Sequence, residues 1–285
     1  MFQQVEDFKA ESDALYELLK PLSNAEFEQQ TQFKDWTFND ILQHIHYWNT
    51  AVDNSLVDPD GFSAMMASLM QALQDTRLRD FEAKELGNLK GTALLDAYRL
   101  FCDDVCTHFG NVDPKKRVQW AGPDMSVRSS MTARQMETWA HGQAVYDKLG
   151  IDRVDTDRIK NIAVLGVNTF GWTFKNRGLD IPEPAPTVRL VAPSGENWEW
   201  NAPGDGNLIE GTATEFCQVV TQTRHVADTE LRVAGNNAKA WMEIAQCFAG
   251  PPENPPSPGT RRGRRPRRVR AFGAISRWSP GSAWR

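Results

Sequence analysis

The sequence predicts an all-helical N-terminal part followed by a small α+β part. Throughout residues 1–150, apolar residues recur at helical spacing, and no segment alternates between apolar and polar residues as a strand does. Two short alternating segments appear only after the prolines Pro182, Pro184 and Pro186, around a Ser-Gly turn. A length of 285 residues is also typical of two modest domains.

The helices of the N-terminal part have recognisable boundary residues. Thr37 is a good N-cap residue, and Asp40 follows three positions later as the acid of a capping box. Gly150 is a typical C-terminal stop. We expect a break at Pro59-Asp60-Gly61 and a loop over 120–130. The predicted helices, which we expect to pack as a bundle, cover residues 4–20, 37–56, 63–75, 91–108 and 132–149.

The C-terminal part mixes both kinds of element. Strands are predicted at 187–192, 197–201 and 208–212, and helices at 156–173, 213–222 and 238–248. This pattern is typical of a small α+β domain. We therefore divide the chain into a helical bundle (1–152), an α+β domain (153–250) and a Pro/Arg-rich tail (251–285).

The charge of the chain is unevenly distributed. Residues 251–285 hold nine arginines and one acid, a net charge of +8, so residues 1–250 carry −13 of the total of −5. An acidic body repels nucleic acid, and only the basic tail could attract it or a membrane surface. We expect the tail to be disordered, as a solvated extension or an out-of-frame end of the reading frame.

Composition excludes several classes of protein. No apolar run approaches the roughly 20 residues that span a bilayer. The acidic N-terminus lacks the basic start and apolar stretch of a secretion signal, so we expect a cytoplasmic protein without membrane partners. We expect its cysteines to be buried free thiols rather than a disulfide framework or a metal site; they are Cys102, Cys106, Cys217 and Cys247.

One histidine of the second helix is predicted to face inward. At 100° per residue, Ile41, His44, Ile45 and Trp48 fall on one stripe, whereas His46 is rotated away and should lie at an edge or in solvent. A single inward histidine is more often a hydrogen-bonded core residue than a metal ligand. Periodicity alone leaves both roles open for His44.

The helix predicted at 132–149 supplies a second polar pair. Glu137 and His141 lie four residues apart, so their side chains are neighbours on one face. The other residues of that face are mostly alanines, which leave space in a bundle. A buried carboxylate is costly unless it is paired or coordinates an ion. The pair is therefore either a buried ion pair or part of a metal site.

Together the three residues form a His-His-Glu set. Such a set is common at catalytic zinc sites, where it leaves a position open for water or substrate. Nickel, manganese and ferrous iron accept the same donors. The spacing of Glu137 and His141 alone does not choose between an ion pair and a metal site.

Two longer segments carry a resemblance to a known family. They are DWTFNDILQHI (35–45) and WAGPDMSVRSSMTARQMETWAHGQAVYD (120–147). The chain resembles the DinB-like metal-binding superfamily, in the group related to mycothiol-dependent maleylpyruvate isomerase. The resemblance extends over residues 1–250, including FCQVVTQTRH (216–225) and AWMEIAQCFAG (240–250).

The resemblance implies a four-helix bundle joined to a domain similar to sterol carrier proteins. It also implies metal ligands at His44, Glu137 and His141, with zinc as the usual ion and mycothiol or another small thiol as the cofactor. The family's isomerase holds an acidic substrate with an arginine late in the second domain. The matching residue is Arg224, whose planar fork suits a carboxylate; a surface or structural role is the alternative.

The leading hypothesis is an enzyme that depends on a metal and a thiol. The ion would lower the pKa of a bound small-molecule thiol, and the thiolate would attack a small organic acid, leading to isomerisation or thiol transfer. A metal-stabilised carrier is one alternative, with Trp198 and Trp200 lining a lipid cavity or packing the core. Metal-dependent hydrolysis is another. For His108 we expect a role at the helix C-terminus rather than as a fourth ligand, and the sequence leaves open whether His225 lines the cleft.

Overall fold

A computed structural model describes residues 1–202 and 206–260 of the chain. The protein is mostly helical, with a small sheet region in its C-terminal part. No helix among the described residues combines the length and apolar character needed to cross a membrane. The elements of the helical part are α1 (Gln3–Leu19), α2 (Phe38–Val57), α3 (Pro59–Ala72), α4 (Leu78–Glu85), α5 (Gly91–Gly110), β1 (Arg117–Val118), β2 (Met125–Ser126) and α6 (Val127–Leu149).

The four long helices α1, α2, α5 and α6 pack against one another around an apolar core. Helix α1 contacts α5 and α6, and α2 contacts the same two helices from the other side. The two shorter helices, α3 and α4, lie on the outer side of α2. Burying apolar side chains in this way is the main stabilising contribution of such a core; its fully buried members include Phe8, Leu19, Ile41, Ile45, Leu94, Val105, Phe109, Val127 and Met131.

Several helix boundaries agree with the prediction and others do not. The Thr37–Asp40 capping box is present at the start of α2, and Gly150 ends α6 in the left-handed conformation. The predicted break at residues 59–61 is wrong, because α3 already begins at Pro59, with Asp58 as its N-cap. Proline is favoured there because the first turn of a helix needs no backbone donor.

The region between α5 and α6 was predicted as a loop, and this was wrong in part. A short antiparallel ladder pairs Val118 with Met125, and α6 begins at Val127, five residues before the predicted start. Helix α4 was not predicted either, because its eight residues carry too few apolar positions to show a helical stripe.

The C-terminal part is built on a four-stranded sheet with the strand order β4-β3-β5-β6. Strands β3 and β5 are parallel, and the other neighbours are antiparallel. The three predicted strands are confirmed, whereas β6 was missed and the helix predicted at 156–173 is divided into two. The elements are α7 (Lys160–Asn168), α8 (Phe170–Asn176), β3 (Thr187–Val191), β4 (Asn197–Trp200), β5 (Leu208–Thr212), α9 (Ala213–Val220), β6 (Arg232–Ala234) and α10 (Asn236–Ile244).

Helix α6 is packed on two opposite sides. Its residues Met131 and Val145 belong to the core of the helical part, while Met136 and Trp139 belong to the core of the C-terminal part. The C-terminal core also contains Trp198, and Trp200 packs at its edge. Because apolar residues point to both sides of α6, its sequence shows no single apolar stripe.

A buried ionic network joins α1 to the segment that leaves α6. The carboxylate of Glu11 accepts hydrogen bonds from Arg153 and from Nε of Arg158, the latter at 2.7 Å. Arg153 lies over the Trp139 ring at 4.7 Å and forms an ion pair with Asp155 at 3.2 Å. The side chains of Glu11 and Arg153 are only 2% and 5% exposed. The network therefore holds the connection between the two parts in place.

The predicted tail begins in a segment that contacts the body. The backbone of Glu253 donates to Gln246 at 2.9 Å and accepts from Gln222 at 2.8 Å. Its carboxylate pairs with Lys34 at 2.9 Å. Residues 251–260 are thus attached to the protein surface, and the arginine-rich remainder, 261–285, lies outside the described residues.

We predict that Glu11→Gln lowers the free energy of unfolding by about 3–5 kcal/mol, because it removes the buried charge that pairs with Arg153 and Arg158. Urea denaturation of the full chain would measure this change. The matched control is Glu17→Gln, which affects the exposed pair with Lys20 and should cost less than about 1 kcal/mol. Equal effects of the two substitutions would contradict a stabilising role for the network.

Candidate metal centre

His44 is presented by α2 and oriented by α4. The capping box at Thr37 fixes the start of α2, and His44 follows two turns later with a side chain that is 12% exposed. Its Nδ1 lies 2.8 Å from Oε1 of Glu82, and the same oxygen accepts a hydrogen bond from Nε1 of Trp48 at 2.9 Å. The ring is therefore held through Nδ1, which leaves Nε2 for another partner.

Glu137 and His141 face the same region from α6. Nε2 of His141 lies 3.2 Å from Oε2 of Glu137, as expected for residues four apart on a helix. The side chains of His141 and Glu137 are 11% and 24% exposed. The pair is thus largely shielded from water but retains an open side.

The structure brings the three predicted residues together. One ligand atom from each of His44, Glu137 and His141 can be chosen so that all three lie within 4.8 Å of one another. The two imidazole rings are 4.8 Å apart, centroid to centroid. Donors bound to a tetrahedral ion at about 2.0–2.1 Å lie about 3.4 Å apart. The donor set therefore fits a divalent cation after small side-chain movements.

The protonation states of the pair also suit a cation. Burial alone would raise the pKa of Glu137, but the hydrogen bond from His141 and the nearby charges of His141, Arg134 and His44 lower that pKa to about 2. Burial lowers the pKa of His141, and the charge of His44 adds to this effect, while the hydrogen bond that His141 donates to Glu137 opposes it. An ionised carboxylate beside a neutral imidazole is the form that binds metals.

Arg134 provides a fixed positive charge one turn before Glu137. It is 2% exposed, and it donates through Nε to Asn49 at 2.9 Å and through Nη2 to the Ile45 carbonyl at 3.1 Å. Burial lowers the pKa of Arg134, and the charge of Glu137 opposes that shift. The interior of the helical part thus contains a buried cation next to the candidate ligands.

Aromatic rings from the 31–36 loop cover the two histidines. Trp36 is stacked on His141 at a centroid distance of 5.8 Å and meets His44 edge-on at 5.2 Å. Phe33 meets His141 edge-on at 5.0 Å. Between the two aromatic residues, Lys34 and Asp35 adopt φ values of 51° and 56°, which L-residues rarely adopt. This turn places both rings on the same side of the site.

Arg224 lies in a cleft on the same face of α6. Its guanidinium forms two hydrogen bonds with the Asp147 carboxylate, at 2.8 and 2.6 Å, so its charge is already paired. The cleft between α6, the 31–36 loop and Thr223–Arg224 has a volume of about 10 Å³, about one water molecule. Phe33 both lines this cleft and contacts His141.

The prediction for His46 was wrong. The residue is 9% exposed and lies between Tyr98 and Phe101 of α5, at centroid distances of 6.4 and 5.4 Å. Helix α2 is covered by α5 on this side and by α3 and α4 on another, so it has no solvent-facing stripe at this position. A single amphipathic stripe does not describe a helix that is buried on several sides.

The remaining histidines are not part of the donor cluster formed by the described residues. His108 is in the last turn of α5, as predicted, and its Nδ1 lies 2.8 Å from Asp53. His225 accepts a hydrogen bond from the backbone N–H of Ala227 at 3.0 Å. The predicted free, buried thiols are confirmed for the cysteines. Glu82, Phe33 and Trp36 were not assigned to the site from the sequence, because only tertiary packing brings them to His44 and His141.

The fold and the site define a mostly helical protein with a candidate divalent-metal centre. A family model described as the mycothiol maleylpyruvate isomerase N-terminal domain matches residues 8–146. Two uncharacterized proteins of Mycobacterium tuberculosis strains are each 34% identical to the chain over 248 residues, 87% of this chain and 96% of theirs. The chain belongs to the DinB-like group related to mycothiol-dependent maleylpyruvate isomerase.

Two solved structures are also similar to the chain. They are the mycothiol-dependent maleylpyruvate isomerase and a histidine-to-alanine mutant of that enzyme. Each is 14% identical, with a TM-score of 0.49, and the match covers 77% of this chain and 88% of the solved one.

We predict that the stability of the protein falls between about pH 6.5 and about pH 4 in a way that depends on His46. Burial lowers the pKa of His46 from 6.5 to about 4. The unfolded chain therefore binds the proton more readily in this range, and the free energy of unfolding decreases by up to about 3 kcal/mol as the pH falls.

Urea denaturation of the wild type and of His46→Phe across this range would measure the effect. Phenylalanine retains the ring between Tyr98 and Phe101 but cannot take up a proton, so the variant should show a shallower pH dependence. The same slope for both proteins would contradict the assignment.

Proposed function

We propose that the protein is a metal- and thiol-dependent enzyme that isomerises a small organic acid or transfers a thiol to it. The observation that carries this proposal is the convergence of His44, Glu137 and His141 within 4.8 Å in a chain of this family. We further propose that residues 1–152 form a DinB-like four-helix bundle, that residues 153–250 form a sterol-carrier-like domain, and that the protein acts in the cytoplasm.

The donor set favours zinc as the resident ion. Two imidazoles and one carboxylate bind zinc in many enzymes and leave a position free. A bound zinc ion would supply a Lewis-acid position that lowers the pKa of a coordinating thiol. The chain itself orients His44 through Glu82, holds His141 beside Glu137 and excludes bulk water with Trp36 and Phe33.

The buried charges around the donors favour an anionic ligand at the open position. The two carboxylate groups of Glu137 and Glu82 outnumber the one guanidinium of Arg134, and a divalent cation would reverse this balance to one net positive charge. Charges in a low-dielectric interior are costly unless they are compensated. A thiolate compensates the remaining charge, whereas a neutral lipid does not.

Arg224 is the proposed holder of the acidic substrate. An arginine fork binds a carboxylate through two parallel hydrogen bonds, and in the structure Asp147 occupies that position. The substrate carboxylate would therefore have to replace or share Asp147. Because the cleft holds about 10 Å³, admission of an organic acid also requires the 31–36 loop to move away from the C-terminal part.

We predict that protein purified without chelators contains about one zinc ion per chain and that His141→Ala and Glu137→Ala lose most of it. Each substitution removes one of the three donors that the described residues bring together. Inductively coupled plasma mass spectrometry of the full chain would measure the metal content.

His108→Ala is the matched control, because it removes a histidine outside the site and should retain the ion. Full metal occupancy in His141→Ala would refute the ligand assignment. Absence of metal from the wild type, even after incubation with zinc, would refute the proposed function itself.

We predict that mycothiol binds directly at the metal. In protein reconstituted with cobalt, addition of mycothiol should produce a thiolate-to-metal charge-transfer band in the near ultraviolet, since a coordinating thiol is deprotonated. The S-methylated thiol, which cannot form a thiolate, is the control ligand. A thiol-dependent isomerisation of maleylpyruvate would identify the reaction. Turnover of esters or amides without any thiol would instead favour hydrolysis.

A further inference from the structure

Glu82 is a buried carboxylate that does not belong to the candidate ligand set. It is 0% exposed and lies on α4, outside the four long helices. The cluster of possible metal donors contains His44, Glu137 and His141, but not Glu82. A carboxylate buried to this extent needs hydrogen-bond donors or a cation to compensate its charge, so its contacts indicate its purpose.

The contacts of Glu82 determine which nitrogen of His44 carries the proton. Oε1 of Glu82 lies 2.8 Å from Nδ1 of His44 and 2.9 Å from Nε1 of Trp48. An indole N–H can only donate, and an ionised carboxylate can only accept. His44 therefore donates from Nδ1. A neutral imidazole with its proton on Nδ1 has its lone pair on Nε2, the nitrogen that remains available to an ion.

The short helix α4 is attached to α2 through few residues. Its buried residues are Phe81 and Glu82. Phe81 packs edge-on against Tyr47 of α2 at 5.9 Å, and Glu82 reaches His44 and Trp48 on the same helix. The other carboxylate oxygen, Oε2, has no hydrogen-bond partner among the described residues. Both bonds of Glu82 are thus directed at the α2 face that carries His44.

We propose that Glu82 is a positioning residue of the metal centre, which fixes the tautomer and the ring orientation of His44. The proposal rests on the metal site of the proposed function. Carboxylates that accept from the second nitrogen of a metal-bound histidine raise its basicity, and their loss typically weakens metal binding about 10- to 100-fold. We expect a loss of this size when Glu82 is replaced.

The test compares zinc dissociation constants of the full chain, measured by competition with a chromogenic chelator. Glu82→Leu removes both the charge and the acceptor, and we expect about 100-fold weaker binding; Glu82→Gln retains an acceptor, and we expect about 10-fold weaker binding. Glu85→Gln is the matched control, because Glu85 is an exposed residue on the same helix, and its affinity should equal that of the wild type.

A second measurement needs no variant to fold. Long-range ¹H–¹⁵N correlation spectra of the metal-free wild type at about pH 8 distinguish the two tautomers of each neutral histidine. We expect His44 to be protonated on Nδ1. Protonation on Nε2, or wild-type zinc affinity in a folded Glu82→Leu variant, would overturn the proposal. If the wild type binds no zinc, the proposed function fails, while the tautomer of His44 still tests the role of Glu82.

Discussion

Helix α6 is the element on which the rest of the structure depends, because it is packed on two opposite sides. One side contributes to the core of the helical part and the other to the core of the C-terminal part. The face of α6 between these two packed sides carries Arg134, Glu137 and His141. A helix confined in this way has little freedom to tilt or rotate, so its polar side chains keep a fixed relation to α2.

The site places several ionisable side chains in the protein interior, where charge is costly. Two carboxylates and one guanidinium lie near two imidazoles, and each of these groups has a directed partner. Apolar residues of similar size would have filled the same volume at lower cost. Retaining Glu137 and Glu82 beside the two histidines is understandable if a cation offsets their negative charge.

Local rules predicted much of the fold and the inward positions of the three candidate ligands, whereas the family resemblance predicted that they form one site. The capping box at Thr37 and the stop at Gly150 depend on neighbours in sequence, and they are present. His46 shows where such rules fail: it is buried, because α5 covers the side of α2 that carries it. Glu82 could not be recognised, since a glutamate in a short charged helix resembles a solvated residue until its tertiary neighbours are known.

The attachment of residues 251–254 changes where the protein can be shortened. Glu253 links Lys34, in the loop that carries Phe33 and Trp36, to Gln246 in the C-terminal part. A chain that ends at Gly250 would lose these contacts of Glu253 together with the arginines that follow. For crystallisation or enzymology, a stop codon after residue 260 would remove the basic extension. It would retain the ion pair between Glu253 and the loop that carries Phe33 and Trp36.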